Sequence, residues 1–374
     1  MTPRERLVQA LRGEGVDYLP CTIYFNGNLS VGRFDCSRVE DRLELARELG
    51  VDTFAGVRMP VSIHPKVCTE VLEEEVAGEP YPILRQTWRT PDGPLTQAIR
   101  KGPACAGWQA IKWGDESAGS IYKPLVESPE DAVRCRHLLQ PATEDDYERW
   151  VRTNRTTFDL ADRYGMPVVA TYGQGLAWLL FTMGAERAVY FAMDHPESFE
   201  ELAEAIHRAE RRAIELAGRG HVDVLKRFGA YEMCNFFNPD IYRRVCVPRL
   251  QREAALARQV GLPAFYRVVT GMEPLLEDIA GLGFDGIEGG EPHLSDCSLE
   301  RWRDAFAGRA ASWAGVSTPV LLGGRDAEAV RREVRRCVDV FGRRGYVLGV
   351  TNSIRNHFPW ENTVAMVDEW KRVR

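Results

Sequence analysis

The chain has 374 residues, 44% of them hydrophobic, which is enough to build a large buried core. The 48 basic and 54 acidic residues are interspersed and give a net charge of −6, so composition lends no electrostatic support to a nucleic-acid or membrane-surface partner. The N-terminus lacks the apolar segment of a signal peptide, and no run of 18 apolar residues predicts a membrane span. The nine cysteines are scattered without a CxxC pair, which favours reduced thiols in a cytoplasm.

The N-terminal quarter of the chain begins as an alternation of helices and strands. The predicted elements are a helix at 3–12, a strand at 20–25, a helix at 38–49 and a strand at 51–57. Thr2 and Glu5 are spaced as a capping box for the first helix, and Ser37 and Glu40 are spaced in the same way for the second. Gly50 is typical of a helix C-terminus.

Between residues 58 and 166 the alternation is interrupted, which indicates a large insertion after the second strand. Residues 83–102 predict a β-hairpin that turns at Pro91–Asp92–Gly93. The stretch "GWQAIKWG" (107–114) is compatible with a further strand. Two helices are predicted to follow, at 129–139 and 144–164.

The alternation then resumes and continues to the end of the chain. Six strands are predicted at 167–173, 222–228, 263–269, 284–289, 310–316 and 345–351. Helices are predicted at 196–218, 239–260, 272–281, 298–306, 326–342 and 360–372. Eight strands joined by crossover helices favour an α/β fold, a (βα)8 TIM-like barrel that forms one domain over 1–374. A doubly wound sheet is the alternative, but "GEGVDYLP" and "LGGRDAEA" are poor matches to its phosphate-binding turn.

Polar side chains cluster where the predicted strands end, which is where barrels of this kind carry their sites. In "GFDGIEGGEP" (283–292), two glutamates follow the sixth strand, and the glycines around them are expected to leave room for a ligand. The candidate acid–base residues are Glu288, Glu291, Tyr172 and His357. The candidate substrate-binding residues are Tyr24, Asn26, Arg58, Lys226, Arg227, Tyr231, Glu232, Arg267 and Asn352.

Each of these candidates also has a structural interpretation. Glu288 and Glu291 would pair with Arg267 or Lys226 inside the barrel mouth. Strand residues alternate in direction, so only one of Lys226 and Arg227 is expected to face the barrel. A Schiff base at Lys226 and a packing or capping role for the histidine at 357 also stay open.

Four stretches of the chain resemble the uroporphyrinogen decarboxylase superfamily, which also holds the corrinoid-dependent methyltransferases. They are "RERLVQALRGEGVDYLP", "FFNPDIYRRVCVPRL", "MEPLLEDIAGLGFDGIE" and "GYVLGVTNSIRNHFPWENTVAMVDEW". The resemblance runs from about residue 4 to 372 and is weakest in the insertion. It implies a TIM-like barrel and says much less about the reaction.

The sequence departs from the decarboxylase branch at its functional positions. The arginine-rich loop that grips substrate carboxylates in that branch is replaced by "YFNGNLSVGRFDC", in which only Arg33 is similar. The position of its catalytic aspartate falls at Arg58 or Met59, and that of its late histidine falls at Asn352. Haem synthesis is therefore not expected.

The methyltransferase branch binds zinc through a His-x-Cys pair and a late cysteine. The corresponding positions here hold Val268, Thr270 and Asn352, none of which replaces a thiolate or an imidazole. We therefore expect no metal at those positions. A rearranged site that uses the cluster Glu291, His293 and Cys297 stays open.

Three functions follow from the residues and the resemblance together. The first is a cofactor-independent lyase of the decarboxylase type that acts on a small carboxylated substrate. The second is a methyltransferase of the corrinoid-dependent type without the usual zinc site, with a corrinoid protein as its partner. The third is a non-catalytic barrel that binds small molecules. A homodimer is compatible with each of them, and neither nucleic acid nor membrane is an expected partner.

Overall fold

The computed structural model describes residues 1–374, apart from the side chain of Asp115. Within these residues the strands form three sheets. The strands are β1 (Cys21–Thr22), β2 (Ser30–Val31), β3 (Phe34–Asp35), β4 (Ala55–Arg58), β5 (Cys68–Glu74), β6 (Ile83–Thr90), β7 (Gly93–Arg100), β8 (Ile121–Lys123), β9 (Val168–Tyr172), β10 (Val224–Phe228), β11 (Ala264–Arg267), β12 (Gly286–Glu288), β13 (Ala311–Val316) and β14 (Tyr346–Val350).

The helices lie between these strands and around them. They are α1 (Pro3–Leu11), α2 (Val39–Leu49), α3 (Asp115–Ala118), α4 (Pro129–Cys135), α5 (Glu144–Thr153), α6 (Arg155–Tyr164), α7 (Leu176–Met183), α8 (Ala185–Asp194), α9 (Pro196–Ala217), α10 (Pro239–Ile241), α11 (Val247–Gln259), α12 (Leu276–Ala280), α13 (Leu299–Phe306), α14 (Ala327–Phe341) and α15 (Trp360–Val373). A π-helical segment, Tyr242–Cys246, joins α10 to α11. None of the helices described is both long enough and apolar enough to cross a membrane.

Eight parallel strands form the curled sheet of a (βα)8 TIM-like barrel. Their order in the sheet is β1, β14, β13, β12, β11, β10, β9, β4. At the seam between β1 and β4, the amide of Asp52 donates to the carbonyl of Cys21 at 2.8 Å. The predicted fold class is thus confirmed, and all eight predicted barrel strands are present.

Helix α1 packs against one end of the barrel. It begins as predicted, because the hydroxyl of Thr2 accepts from the amide of Glu5 and the carboxylate of Glu5 accepts from the amide of Thr2. Its buried face joins an apolar cluster that includes Leu7, Leu11, Val169, Val224, Phe265, Ala311, Trp313 and Val347. Since this end is filled by apolar side chains, the polar site lies toward the carboxyl ends of the strands.

The inserted segment carries its own antiparallel sheet, in the order β5, β6, β7, β8. The predicted hairpin is confirmed, with Thr90 opposite Gly93 at the turn between β6 and β7. The expected strand at 107–114 is wrong. That segment is held by side chains instead, because the amide of Ile111 donates to Gln86 at 2.7 Å and the indole of Trp113 donates to Gln97 at 2.8 Å.

Two other details differ from the sequence prediction. Helix α2 has Arg38 as its N-cap, without a side-chain hydrogen bond, so the predicted cap at Ser37 is wrong. Ser37 donates its amide to the carboxylate of Asp35 at 3.0 Å and so belongs to the preceding turn. Helices α7 and α8 were not predicted. All nine cysteines are free thiols.

Candidate active site

Three charged side chains converge inside the barrel from adjacent strands. Lys226 on β10, Arg267 on β11 and Glu288 on β12 are all buried, with Lys226 only 7% exposed. A guanidinium nitrogen of Arg267 donates to Oε1 of Glu288, and Oε2 lies 3.4 Å from the ammonium of Lys226. Oε2 accepts no hydrogen bond from any described group, so its contact with Lys226 is an ion pair without a hydrogen bond. We call Lys226, Arg267 and Glu288 the axial cluster.

Tyr24, which follows β1, lies against the axial cluster. Its hydroxyl accepts from the ammonium of Lys226 at 3.0 Å. Its ring centre lies 4.3 Å from that ammonium and 5.2 Å from the guanidinium carbon of Arg267, which places both cations near an aromatic ring. Burial, and then the charge of Glu288, raise the pKa of Tyr24 well above its usual value, so the phenol stays neutral.

Aromatic rings beneath the cluster explain the electrostatics of Lys226. Its ammonium lies 6.0 Å from the ring centre of Phe54 and 5.6 Å from that of Phe265, in an environment with little water. This burial lowers the pKa of Lys226 from 10.5 to about 8, although Glu288 opposes the shift. Lys226 is therefore mostly protonated at neutral pH, and it is a stronger acid than an ordinary lysine.

Glu291 joins the axial cluster through Thr351 at the end of β14. The carboxylate of Glu291 accepts from the hydroxyl of Thr351, and Arg267 donates to the carbonyl of the same threonine at 3.1 Å. The axial cluster itself holds two cations and one carboxylate, so it has a positive excess. A buried positive excess of this kind favours an anionic ligand.

The sequence predicts that the glycines next to the two glutamates leave room for a ligand. The structure instead has other protein atoms packed against them. A Cβ atom on Gly289 would lie 1.7 Å from the carbonyl oxygen of Val268, and one on Gly290 would lie 2.3 Å from the ring of Trp302. Both glycines also have positive φ, at 126° and 66°. They are needed for the tight turn and for close packing.

Arg227, the neighbour of Lys226, points out of the barrel into the shell of helices. Its guanidinium lies 3.0 Å from Glu232, 2.8 Å from Glu253 on α11 and 3.6 Å from Glu210 on α9. Glu232 also accepts from the hydroxyl of Tyr266 at 2.7 Å. Arg227 and Glu232 were predicted to bind substrate, but both lie behind the barrel wall, away from the axial cluster. We call Arg227 and these three glutamates the shell cluster.

Two glutamates of the shell cluster, together with one histidine, form the only group of described residues that could share a metal ion. That group is His207, Glu210 and Glu253, all buried. Nδ1 of His207 lies 2.8 Å from a carboxylate oxygen of Glu253, and Nε of Arg227 donates to the other oxygen. Because Arg227 already brings a cation to these carboxylates, we interpret the group as a hydrogen-bonded network. Burial raises the pKa of Glu210 to about 8.

The rearranged metal site considered from sequence does not assemble among the residues described here. His293 lies 3.4 Å from Glu333, and the carboxylate of Glu291 is held by Thr351. Cys297 is buried, and burial raises the pKa of its thiol to about 12. A thiol with so high a pKa is a poor source of the thiolate that zinc requires.

The other predicted site residues are placed in three different environments. Arg58 and Tyr172 line a cavity of about 300 Å³ beside the barrel mouth. Asn26 and Asn352 lie in loops near the mouth, where the side chain of Asn26 is 3.5 Å from Ser353 and the amide of Asn352 donates to Thr318. The exposed ring of His357 contacts Phe358, and the ring of Tyr231 packs edge-on against Phe181.

The predicted site leaves out two participants. Thr351 lies at a strand end like the chosen residues, and its link between Glu291 and Arg267 depends on contacts that cross the barrel. Glu210 lies on α9, and a signal for it was present. His207 and Glu210 are spaced by three residues on the same stripe as Ile206 and Ala213, which is the buried face of that helix.

Comparison with known proteins assigns the chain to a family. The sequence profile of the uroporphyrinogen decarboxylase (URO-D) family matches residues 119–373, and the chain belongs to that family. A methyltransferase from Methanosarcina mazei shares the fold, with a TM-score of 0.62 and 17% identity over 100% of this chain and 99% of that one. A B12-independent methionine synthase from Shewanella sp. W3-18-1 aligns with a TM-score of 0.49 and 12% identity over 95% and 96%. No curated protein sequence matches the chain.

Proposed function

We propose that this member of the uroporphyrinogen decarboxylase family is a lyase of the decarboxylase type that acts on a small carboxylated substrate without a cofactor. The axial cluster is the observation that carries the proposal. It brings two cations and a single carboxylate to the barrel axis, and one of those cations is an acidified lysine. Such a site attracts a carboxylate and has a proton ready to donate.

The register of the strands supports a position for the carboxylate of the proposed substrate. Arg58 on β4 and Lys226 on β10 both pair in register with Thr171 on the strand between them. Two strand spacings separate these positions, about 10 Å. Arg58 forms no ion pair with any described residue, so its guanidinium is available for a substrate carboxylate.

The proposed reaction uses these groups in one balanced sequence. The carbon–carbon bond to the carboxylate breaks, CO₂ leaves, and the electron pair stays on the substrate carbon. The nearby cations stabilise the developing negative charge. That carbon then takes a proton from the ammonium of Lys226, and the resulting amine regains a proton from water. Glu288 holds Arg267 and Lys226 in place through its two oxygens.

Release of CO₂ from a panel of small mono- and dicarboxylic acids tests the proposal. Lys226→Met is expected to lower the rate at least about a hundredfold, the usual contribution of a positioned acid. Lys123→Met is the matched control, because Lys123 pairs with Glu127 in an exposed i,i+4 pair. An unchanged rate in Lys226→Met, or no release from any acid in the panel, would contradict the proposal.

Uroporphyrinogen is not the expected substrate. Arg58 or Met59 stands where the sequence resemblance places the family's aspartate, and Asn352 stands where it places the late histidine. Asn352 is exposed and bound to Thr318 through the backbone. A porphyrin fluorescence assay is expected to show no conversion, and robust conversion would assign the chain to haem synthesis.

Methyl transfer is the second candidate, because a matched structure that covers the full length of this chain is described as a methyltransferase. The zinc site of that branch does not fit here. Val268 is a buried apolar residue, and the hydroxyl of Thr270 lies 3.4 Å from the sulfur of Met233. Incubation with methylcobalamin and candidate acceptors tests this alternative through the visible absorbance of the corrinoid. Binding of a carboxylate without either reaction would support the non-catalytic alternative.

A further inference from the structure

A basic groove lies at the amino ends of the barrel strands, on the opposite side of the barrel from the axial cluster. It encloses a cavity of about 760 Å³, which is bordered by the end of α1, by α11 and by the segments that lead into β12, β13 and β14. This volume lies within the range of small-molecule sites. Because barrels of this kind carry their active sites at the carboxyl ends of the strands, a ligand in the groove would occupy a second site.

The groove is strongly positive although the chain as a whole is negative. Among the residues described, five arginines and one carboxylate line it, whereas the net charge of the chain is −6. The arginines are Arg12, Arg258, Arg303, Arg309 and Arg344. The carboxylate is that of Asp285, which accepts the amide of Ala264 at 2.8 Å. The lining therefore has a large positive excess, which attracts anions.

Two of the five arginines are paired with acidic residues at the edge of the groove. Arg303 lies 2.7 Å from the carboxylate of Asp304, and Arg309 lies 2.7 Å from that of Glu277. The side chains in both pairs are at least 42% exposed. Since an exposed ion pair contributes little to stability, these two guanidiniums can exchange their partners for a ligand at small cost.

The other three arginines have no carboxylate partner. Arg12, Arg258 and Arg344 form no ion pair with any described residue. A nitrogen of Arg258 donates to the carbonyl of Gly283 at 3.0 Å, and Nε of Arg344 donates to the carbonyl of Gly13 at 2.9 Å. Both glycines line the groove, so these two guanidiniums are held beside the cavity. A guanidinium has five N–H donors, and each of the three arginines keeps donors for a ligand.

The floor of the groove adds one hydroxyl and an apolar surface. Ser312, the second residue of β13, is only 5% exposed, and its hydroxyl forms no hydrogen bond with any described group. Buried polar groups are nearly always paired, so this hydroxyl is a suitable partner for a ligand. Phe284 and Phe341 contribute apolar area to the lining. A Cβ atom on Gly308 would meet nothing within 4 Å, so the space beside it is open.

We propose that this groove binds a small molecule that carries three or more negative charges close together, as a polyphosphate chain does. Guanidinium groups bind phosphate oxygens through paired, charge-assisted hydrogen bonds. Arg12, Arg258 and Arg344 hold the phosphate chain, the hydroxyl of Ser312 donates to a phosphate oxygen, and the apolar floor leaves room for an attached organic group. The inference goes beyond the proposed function and does not depend on it, because the groove and the axial cluster lie at opposite ends of the barrel.

Isothermal titration calorimetry of the full chain with inorganic triphosphate tests the inference. Inorganic monophosphate is the comparison for charge, and ATP is the comparison for an attached organic group. Triphosphate is expected to bind at least about tenfold more tightly than monophosphate, and its affinity is expected to fall as NaCl is raised from about 50 to about 300 mM. Tighter binding of ATP than of triphosphate would assign a nucleotide to the groove, and equal affinities would assign the phosphate chain alone.

Variants assign the binding to the groove. Arg12→Glu is expected to weaken triphosphate binding at least about tenfold, and the fold is expected to tolerate it because Arg12 is exposed. Arg163→Glu is the matched control, since Arg163 is also exposed and lies in the last turn of α6, outside the groove. Arg258→Gln and Arg344→Gln are each expected to weaken binding about fivefold, and Ser312→Ala about threefold.

Lys226→Met separates the groove from the axial cluster. Triphosphate binding is expected to be retained in Lys226→Met and lost in Arg12→Glu. The reverse pattern would place the ligand at the axial cluster and overturn the inference. Equal weakening in Arg12→Glu and Arg163→Glu would also overturn it, because the arginines would then act only through helix dipoles and overall charge. So would the absence of triphosphate binding, or equal affinities for triphosphate and monophosphate, in the native chain.

Discussion

Lys226 and Arg227 are neighbours on β10, but their side chains enter chemically opposite environments. Lys226 shares one glutamate with Arg267, so the axial cluster on the inner face of the barrel has two positive groups and one negative group. Arg227 faces three glutamates across the barrel wall, so the outer face has more negative groups. The inner excess is suited to binding an anion, whereas the outer cluster is satisfied internally and joins the strand to its helices.

The largest expected effect is on the outer face. Arg227→Met is expected to lower the free energy of unfolding by about 3–5 kcal/mol, because buried carboxylates lose the cation that compensates them. Urea-induced unfolding followed by circular dichroism measures the change. In the variant, Glu232 still accepts hydrogen bonds from the hydroxyl of Tyr266 and the amide of Leu176. Any loss of stability therefore reports mainly on the missing guanidinium.

Lys226→Met is the matched variant on the inner face of the same strand. Glu288 keeps its pair with Arg267, and the change removes an ammonium whose pKa burial has already lowered to about 8. The loss of stability is therefore expected to be smaller than that of Arg227→Met by at least about 2 kcal/mol. Equal losses in the two variants would show that the two faces do not differ as described.

The next largest expected effect is on the rate of CO₂ release, through Glu288 on the inner face. Glu288→Gln is expected to lower the rate of CO₂ release of the folded variant at least about a hundredfold, and also to lower its unfolding midpoint, because two buried cations lose their shared carboxylate. Glu288 is the group that supports the charge of Lys226, so its removal lowers the pKa of Lys226 further. In the native enzyme, activity is expected to fall as the pH rises through about 8. In Glu288→Gln the residual activity is expected to fall at lower pH, and an unshifted alkaline limb would contradict the assignment.

The sequence predicted much of this arrangement but could not assign the two faces. Eight apolar runs predicted eight strands, and alternation predicted that only one of Lys226 and Arg227 faces the barrel, which is confirmed. Which of them does so was beyond the pattern, because both faces of a barrel strand are buried and both carry apolar residues. Tyr172 is among the acid–base candidates for the same reason, but it lies in register with Arg227 and its side chain faces the outer side of the barrel wall.

Elements outside the barrel were missed where their sequences lack a clear period. Helix α7, "LAWLLFTM", is buried all round, so it shows no amphipathic stripe. Strand β5, "CTEVLEE", is almost entirely exposed, so it shows no buried alternation. The link from Glu291 through Thr351 to Arg267 joins three strand ends that are far apart in sequence, and only the closed barrel brings them together.

The shell cluster and the axial cluster also differ in how they change the stability of the fold with pH. Glu210 in the shell has a pKa raised from 4.5 to about 8, chiefly by burial. Its contribution to stability is fully present below pH 4.5 and is lost as the pH rises through about 8. Lys226 has a pKa lowered from 10.5 to about 8, so stability attributable to it rises with pH over the interval between those values.

Glu210→Gln separates these two contributions. The groups that face Glu210 are Arg227, Glu232, Glu253 and His207, and all of them remain in the variant. The decline in unfolding temperature between pH 5 and 8 is expected to become shallower in Glu210→Gln, while the rise above pH 8 is unchanged. A decline of unaltered slope would show that Glu210 does not carry a bound proton in the folded chain.

The smallest expected effect tests whether the shell cluster acts only as support. Tyr266→Phe removes the hydroxyl that donates to Glu232 at 2.7 Å and leaves the ring stacked on Phe284. Glu232 still accepts from Arg227 and from the amide of Leu176, so the loss of stability is expected to be about 1 kcal/mol. Because Tyr266 points away from the barrel axis, the rate of CO₂ release is expected to stay within about twofold of the native rate. A large loss of rate at unchanged unfolding temperature would move Tyr266 and the outer face into the catalytic machinery, and the division between the two faces would then be wrong.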